Sequence, residues 1–244
     1  MRNIKLIIEY DGTNYAGWQI QKNALAIQEV VEASIEKLTG EKVEVIGASR
    51  TDAGVHAIGY TANFKTESSI PSEKFTEALN TKLPKDIVIL SSEEVALSFH
   101  SRYDSKGKNY CYTVVNRMQP VAVGRNYCYH MKFKLNVDNM REACKYFLGT
   151  KDFSALKNMG SPTQTCVRTI RELRIDHQGD LIKIYCTADG FLYNMMRIIV
   201  GVLLQVGTGK FKPEEVEAII LSKDRRRAGK SVPASGLCLM EVFY

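Results

Sequence analysis

The segment Val43–Phe64 has the sequence VEVIGASRTDAGVHAIGYTANF, two apolar runs separated by a short polar stretch with a glycine. Val43–Ala48 and Ile58–Phe64 have the composition of strands, so the sequence predicts two strands joined by a tight connection. Asp52 lies in this connection. Loops on a rigid scaffold often carry catalytic groups, but such an aspartate can also only cap the turn through an Asx hydrogen bond. Asp52 is therefore a candidate that needs support from other residues.

The regions around these two strands extend the pattern to β-α-β-β-α-β. A strand at Ile4–Glu9 and an amphipathic helix at Ala26–Leu38 precede them, and a helix near Ser72–Lys82 and a strand from Ile87 follow. The same order returns later in the chain, in predicted elements at Tyr110–Asn116, Val137–Leu148, Thr169–Asp176, Leu181–Thr187, Phe191–Val206 and Leu237–Val242, with an extra helix at Pro213–Leu221.

This repeated order predicts an α+β fold made of two ferredoxin-like halves. The expected division is residues 1–104, carrying the Asp52 loop, and residues 105–244, carrying Tyr110 and Arg197. The two sheets are expected side by side, with an active-site cleft between the halves. A sheet of this kind can present a broad face to RNA, but the fold alone does not establish an enzyme.

Composition sets wider limits on the function. The 244 residues are 45% hydrophobic and 25% charged, as in ordinary globular proteins, and the net charge of +6 suits a polyanionic partner without requiring one. No two of the six cysteines have the two-residue gap of a metal or redox pair, so we expect reduced thiols and no metal site. The first apolar run is too short for a signal peptide, and no segment reaches the length of a membrane span, so a cytoplasmic protein without membrane contact is expected.

Arg197 is unusual because the predicted helix around it is apolar on almost every side, with Asn194 one turn earlier. A buried guanidinium without a partner is costly, so Arg197 needs a carboxylate or an RNA phosphate. Pairing with Asp52 would lower the pKa of that acid and keep it ionised. A structural ion pair with another acid such as Glu9 is the alternative, and the residues alone leave this choice open.

Five motifs follow one another along the chain, at Glu9–Gln19, Ser49–Ala57, Phe99–Tyr103 with Lys108–Tyr112, Phe191–Gly201 and Gly236–Val242. Together they resemble the signatures of the tRNA pseudouridine synthase A family of pseudouridine synthases. One departure is Ser49, at a position where many members carry glycine.

The resemblance implies an enzyme that isomerises uridine to pseudouridine in the anticodon stem-loop of tRNA, without a cofactor and as a homodimer. It implies that Asp52 is the essential carboxylate, that Arg197 is the basic residue paired with it, and that Tyr110 stacks on the target base and helps to remove the C5 proton. Arg50 corresponds to an arginine associated with flipping the base out of its stem. Whether Asp52 attacks the sugar, attacks the base or abstracts a sugar proton stays open.

Other residues have weaker assignments. Arg102 and Arg168 are candidates for phosphate contacts, as is the run Lys223–Lys230, although such a run is usually a solvated loop. Tyr110 and Tyr112 share one strand face and either stack on bases or fill the core. The sole tryptophan, Trp18, is expected to anchor its loop rather than to stack on RNA.

Three alternatives to the tRNA enzyme remain at this point. A paralogue could carry out the same chemistry on another RNA such as ribosomal RNA. A catalytically silent module could bind RNA without changing it. A related glycosidase could release free uracil. The presence of Asp52, Tyr110 and Arg197 together argues against the silent module.

Overall fold

The computed structural model describes residues 1–158, 160 and 165–244. Its elements confirm the predicted α+β class, with mostly antiparallel strands and few helices. Strands β1 to β10 are Arg2–Tyr10, Ile46–Gly47, His56–Thr66, Ile87–Val95, Gly107–Asn116, Tyr129–Met131, Gly149–Asp152, Val167–Gln178, Leu181–Ala188 and Leu237–Phe243. Helices α1 to α5 are Ile27–Thr39, Lys74–Asn80, Val137–Cys144, Met195–Gly207 and Glu215–Leu221.

The chain forms two compact units. Unit 1 consists of Met1–Lys106 together with Cys238–Tyr244, and unit 2 consists of Gly107–Leu237. The boundary after residue 106 lies close to the predicted division at residue 104. The last strand differs from the expectation, because nearly all of it belongs to unit 1 and not to the second half of the chain.

In unit 1 the strands are ordered β4-β1-β3, with all neighbours antiparallel. The short strand β2 is antiparallel to β3, and β10 lies parallel to β3, where Cys238 pairs with His56. Ile4, Leu6 and Ile8 alternate along β1 and are fully buried, as the period of two in a strand requires. The helix predicted at Ala26–Leu38 is observed as α1 and buries its apolar side.

The strand predicted at Val43–Ala48 is shortened to the two residues of β2. The physical reason is a competing hydrogen bond, because the Val45 backbone N–H donates to Glu32 Oε1 on α1 at 2.9 Å. A backbone donor used in this way is not available to a neighbouring strand. The prediction of a longer strand was therefore wrong, although the connection to β3 is where the sequence places it.

In unit 2 the order is β5-β9-β8-β7, again antiparallel, with β6 parallel to β5. Helix α4 is buried along most of its length, as its apolar sequence predicts. It begins at Met195 and not at Phe191, because Asn194 has a left-handed backbone conformation, φ 61° and ψ 9°, which cannot continue a right-handed helix.

None of the six cysteines, all of which lie among the described residues, forms a disulfide bond. Burial raises the pKa of Cys144 to about 12 and also raises the pKa values of Cys111 and Cys186, which disfavours reactive thiolates there. Within the described part of the chain, no helix has both the length and the hydropathy needed to cross a bilayer.

Candidate active site

Asp52 lies, as predicted, in the connection between β2 and β3 of unit 1. The connection closes with a tight turn in which the Val55 N–H donates to the Asp52 carbonyl at 3.1 Å. Gly54 supplies the positive φ of 77° that this turn needs. Asp52 itself is half-buried. Since β3 begins at His56, the turn is anchored directly to a long strand of the sheet.

The first motif, Glu9–Gln19, holds this loop in place. The Trp18 N–H donates to the Thr51 carbonyl at 3.3 Å, and the Gly54 N–H donates to the Tyr15 carbonyl at 3.3 Å. The Tyr10 hydroxyl and Thr51 Oγ1 are hydrogen-bonded at 2.9 Å. Backbone and side-chain bonds therefore reach the loop on both sides of Asp52.

Three aromatic residues form a buried cluster next to the loop. Trp18 and Tyr60 are stacked, with ring centroids 4.0 Å apart, and Tyr10 lies 5.6 Å from Tyr60. The Tyr60 hydroxyl donates to the Ser49 carbonyl. Trp18 is only 2% exposed, so it anchors its loop, as the sequence favours, and does not stack on RNA.

Two glycines of the first motif allow its backbone to approach the Asp52 loop. A Cβ at Gly17, whose φ is +92°, would lie 2.2 Å from the Thr51 carbonyl oxygen, and a Cβ at Gly12 would lie 2.0 Å from that of Val55. These are backbone atoms that no rotamer change can move. The sequence shows the two glycines, but their function depends on a contact with residues far along the chain, so sequence reasoning missed it.

His56 is buried and has a structural position. Its Nδ1 lies 3.1 Å from the Gly12 nitrogen and 3.1 Å from Asp11 Oδ1. The Asp11 carboxylate also accepts a hydrogen bond from the Thr13 N–H and starts a short 3₁₀ turn. The ring thus links the start of β3 to the first motif, which is a structural role.

Arg50 and Arg102 are both exposed and line the same groove of unit 1, which has a volume of about 390 Å³. The structure therefore brings together two of the residues that the sequence predicts to contact RNA. The Arg102 guanidinium lies 5.7 Å from the centroid of the exposed Tyr103 ring. His100 also lines this groove.

In unit 2, Tyr110 and Tyr112 are both buried on β5. The Tyr110 ring is 6% exposed and meets Phe191 edge to face, with centroids 4.9 Å apart. Tyr112 is fully buried, its hydroxyl donates to the Pro233 carbonyl at 2.7 Å, and burial raises its pKa. Tyr112 therefore fills the core, while Tyr110 keeps a small exposed edge.

Arg197 lies in the first turn of α4, and its guanidinium is held by two contacts within unit 2. Nε donates to the Val232 carbonyl at 2.8 Å, and Nη1 donates to Asn194 Oδ1 at 2.6 Å. The left-handed backbone of Asn194 costs about 1–2 kcal/mol, a strain that persists only where the surroundings fix it. The Asn194 amide thus orients Arg197 from just outside the helix.

Several of the other predicted phosphate-binding cations make contacts within unit 2. Arg168 Nη1 donates to the Thr165 and Val167 carbonyls at 3.0 and 2.6 Å. In the run Lys223–Lys230, the Arg225 side chain donates to Asn158 Oδ1, and Arg226 pairs with Asp224. Lys223 lies 2.8 Å from Asp152, and their hydrogen bond lowers the pKa of Asp152 to about 2. These internal contacts give Arg168 and the run less support as RNA ligands than Arg50 and Arg102 have.

Ser49 has an unusual hydroxyl, which is buried and has no hydrogen-bond partner among the described residues. An unsatisfied buried group costs about 1–3 kcal/mol. We expect Ser49→Ala to raise the free energy of unfolding by about 1 kcal/mol and the melting temperature by about 2–4 °C, as measured by calorimetry.

Ser92→Ala is the matched control, because the Ser92 hydroxyl has two hydrogen-bond partners. It accepts from the Thr76 N–H at 3.0 Å and is hydrogen-bonded to the Thr76 hydroxyl at 2.7 Å. This variant should lower the melting temperature, since both bonds are lost. A lower melting temperature for Ser49→Ala as well would show that the Ser49 hydroxyl has a stabilising partner in solution.

Comparison with known proteins gives consistent results over the chain. A family model described as tRNA pseudouridine synthase matches residues 6–104 and 143–244. The chain is 59% identical to "tRNA pseudouridine synthase A 2" of Clostridium perfringens and 57% identical to "tRNA pseudouridine synthase A" of Clostridium acetobutylicum, each over 100% of both chains. A protein of Thermoanaerobacter with the latter name is 51% identical, also over 100% of both chains.

Among solved structures, a chain of a Cbf5-Nop10-Gar1 complex aligns with a TM-score of 0.38 and 10% sequence identity. The alignment covers 96% of the present chain and 57% of that chain. The present chain therefore spans little more than half the length of that one. A likeness at this level adds nothing to the sequence relationships.

Proposed function

The chain belongs to the tRNA pseudouridine synthase family, and from this premise we propose that Asp52 is the carboxylate on which its reaction depends. The enzyme converts uridine in tRNA to pseudouridine. The bond between uracil N1 and the ribose breaks, the base turns, and its C5 joins the same sugar carbon. The product is an isomer of the substrate, so the reaction has no net redox change and calls for no cofactor.

The chemistry suits an ionised carboxylate close to the sugar. As in glycoside cleavage, positive charge develops at the anomeric carbon when the base leaves, and a carboxylate can stabilise that charge or attack covalently. Such stabilisation is strongest when the charged group is fixed beforehand and needs no reorganisation during the reaction. A carboxylate with this role should therefore lie on a rigid loop.

The observation that carries the proposal is the framework around Asp52. The loop is closed by its own turn, bonded to Tyr15 and Trp18, and packed beside the Tyr10, Trp18 and Tyr60 rings. Two glycines bring the first motif into backbone contact with it. An aspartate that only capped a surface turn would not require this support.

Arg197 is the residue we propose to pair with the catalytic aspartate, and Tyr110 the residue that stacks on the target base. The hydrogen bonds that Arg197 donates to Asn194 and Val232 support the first role, because they fix the one charged side chain of a largely apolar helix. The contact with Phe191 supports the second, because it sets the plane of the Tyr110 ring. Arg50, with its exposed side chain, is proposed to assist base flipping.

Two ferredoxin-like halves remain our proposal for the architecture. In unit 1 the antiparallel order β4-β1-β3 with β2 beside β3, and α1 and α2 in the two crossovers, supports it. In unit 2 the order β5-β9-β8, with α3 between β5 and β8 and α4 after β9, gives similar support. An active-site cleft between the halves belongs to the same proposal.

We also propose the position of the target uridines, the oligomeric state and the cellular location, which membership of the family does not determine by itself. We expect the target uridines in the anticodon stem-loop, a homodimer as the working form, and the cytoplasm as the location. The net charge of +6 supports a polyanionic substrate.

The test is tritium release from tRNA whose uridines carry tritium at C5, because replacement of that hydrogen by the sugar carbon sends the label into water. We expect the chain to release tritium from tRNA, and mapping should place the product in the anticodon stem-loop. Release from ribosomal RNA and not from tRNA would indicate a paralogue. Free uracil would indicate a glycosidase, and RNA binding without any release would overturn the proposal.

A further inference from the structure

We propose that the groove of unit 1 beside the Asp52 loop binds one unpaired nucleotide of the substrate RNA, with its base stacked on Tyr103 and its phosphate held by Arg50 and Arg102. The inference rests on the proposed function and adds a subsite to it. The volume of about 390 Å³ lies within the range of roughly 300–1,000 Å³ that is usual for small-molecule sites.

Tyr103 is a large aromatic side chain in a fixed position and yet 75% exposed. Its ring packs against the His100 imidazole, with centroids 4.2 Å apart and planes 32° apart. The backbone N–H groups of Arg102 and Tyr103 both donate to His100 Nδ1, at 3.2 and 3.3 Å. The imidazole is therefore held from one side, and it supports a tyrosine ring most of whose surface is exposed.

The backbone behind this platform is also fixed. The His100 N–H donates to Asp104 Oδ2 at 2.8 Å, and the Asp104 N–H returns a bond to the His100 carbonyl at 3.0 Å. The Ser101 hydroxyl, on the buried side of the turn, donates to the Ile46 carbonyl next to the Asp52 loop. A stacking surface that is already ordered loses little entropy when a base binds to it.

The charges of the groove favour a phosphate. Among the described residues, neither Arg50 nor Arg102 has a carboxylate within salt-bridge distance, whereas Arg226 of unit 2 has one. A guanidinium without such a partner is suited to a bidentate phosphate contact. Glu44 is the one acidic residue of the groove wall, so the two arginines leave the groove positive.

Ser49 connects the groove to the Asp52 loop. It is one of the residues that line the groove. Arg50 is the next residue, and Asp52 follows two positions later. Residues two positions apart lie within about 7 Å, so a nucleotide in the groove would be a close neighbour of a uridine at Asp52. RNA substrate therefore fits the site better than an unconnected ligand does.

The experiment measures the Kd of anticodon stem-loop hairpins by fluorescence anisotropy, in the Asp52→Asn background so that the RNA stays unconverted. Stacking of one base corresponds to roughly a 5- to 150-fold difference in affinity. We expect Tyr103→Ala to raise Kd by that factor and Tyr103→Phe to change it by less than about two-fold, because Phe keeps the ring. Phe133→Ala, which removes an aromatic side chain of unit 2 that is 61% exposed, is the control and should have no effect.

A set of hairpins, each with one abasic nucleotide, then identifies the partner of Tyr103. We expect an abasic nucleotide at one position only to raise the Kd of the protein that retains Tyr103. At that position it should cause no further rise in the Kd of the Tyr103→Ala variant. An unchanged Kd for Tyr103→Ala, or a loss that is the same at every abasic position, would overturn the proposal.

Tritium release by the protein with Tyr103 intact separates this result from the proposed function. Release from tRNA together with an unchanged Kd for Tyr103→Ala would reject the groove alone. Absence of release together with the expected change of Kd would reject the function and leave the nucleotide-binding groove.

Discussion

Replacing Asp52 with asparagine is expected to abolish tritium release from tRNA, with kcat/KM lower by about 10,000-fold or more, as for the loss of a principal catalytic group. Asparagine has nearly the same shape but no charge, so it cannot stabilise the positive charge that develops at the sugar. Single-turnover release over a range of enzyme concentrations is the measurement, because its concentration dependence gives kcat/KM and its plateau gives the rate of the chemical step without product release. The Kd for RNA and the melting temperature should stay close to the wild-type values.

Asp180→Asn is the matched control for this prediction. Asp180 is also a turn aspartate, between β8 and β9, and its side chain is largely exposed. This variant should keep wild-type activity. Retention of more than about a tenth of the wild-type kcat/KM by Asp52→Asn would contradict an essential carboxylate, since such a loss amounts to only about 1.4 kcal/mol.

Gly17→Ala is expected to have the second largest effect, with kcat/KM lower by about 100-fold or more. The new Cβ would lie 2.2 Å from the Thr51 carbonyl oxygen and 3.0 Å from the Asp52 carbonyl carbon, so the loop must move. A displacement of about 1 Å in a positioned catalytic group can cost 100-fold in rate. The positive φ of Gly17 adds strain to this clash. Tritium release and thermal unfolding, measured on the same samples, would give both effects.

Gly40→Ala is the control that separates the effect of backbone strain from the effect of displacing the Asp52 loop. Gly40 ends α1 with a φ of +77°, similar to that of Gly17, but a Cβ there would meet nothing within 4 Å. This variant should lose about 1–2 kcal/mol of stability and keep its activity. If Gly17→Ala behaved in the same way, the close approach of the first motif would not be what positions the Asp52 loop.

The order of elements could be predicted because it depends on local periodicity. Helices α1 and α4 have apolar patterns that identify them without further information, and α1 is observed within one residue of its predicted ends. The errors arise where a single residue overrides the pattern. Glu32 accepts the hydrogen bond of the Val45 N–H, so β2 is shorter than predicted. The left-handed backbone of Asn194 moves the start of α4 to Met195. Periodicity does not register either event.

The position of Asp52 could also be predicted, because the loop is visible as a polar interruption between two apolar runs. The framework around it could not. The Gly17 backbone meets Thr51, and Val232 holds Arg197 from 35 positions away, contacts that exist only after the sheet has formed. Asn194 was visible as a neighbour of Arg197, and its amide does bind that guanidinium. The catalytic roles of Asp52, Tyr110 and Arg197 remain predictions, and Asp52→Asn tests the first of them.

The parallel pairing of β10 with β3 has a consequence for biosynthesis. Cys238 and Leu239 pair with His56 and Ala57, the residues that follow the Asp52 loop. A ribosome completes unit 2 before it reaches these partners, so a nascent chain lacks one strand of the sheet that carries the loop. Contacts so distant in sequence form late and slow folding. We expect the enzyme to gain activity only after its last strand has left the exit tunnel, and the uncovered edge of β3 to be a point of contact for chaperones until then.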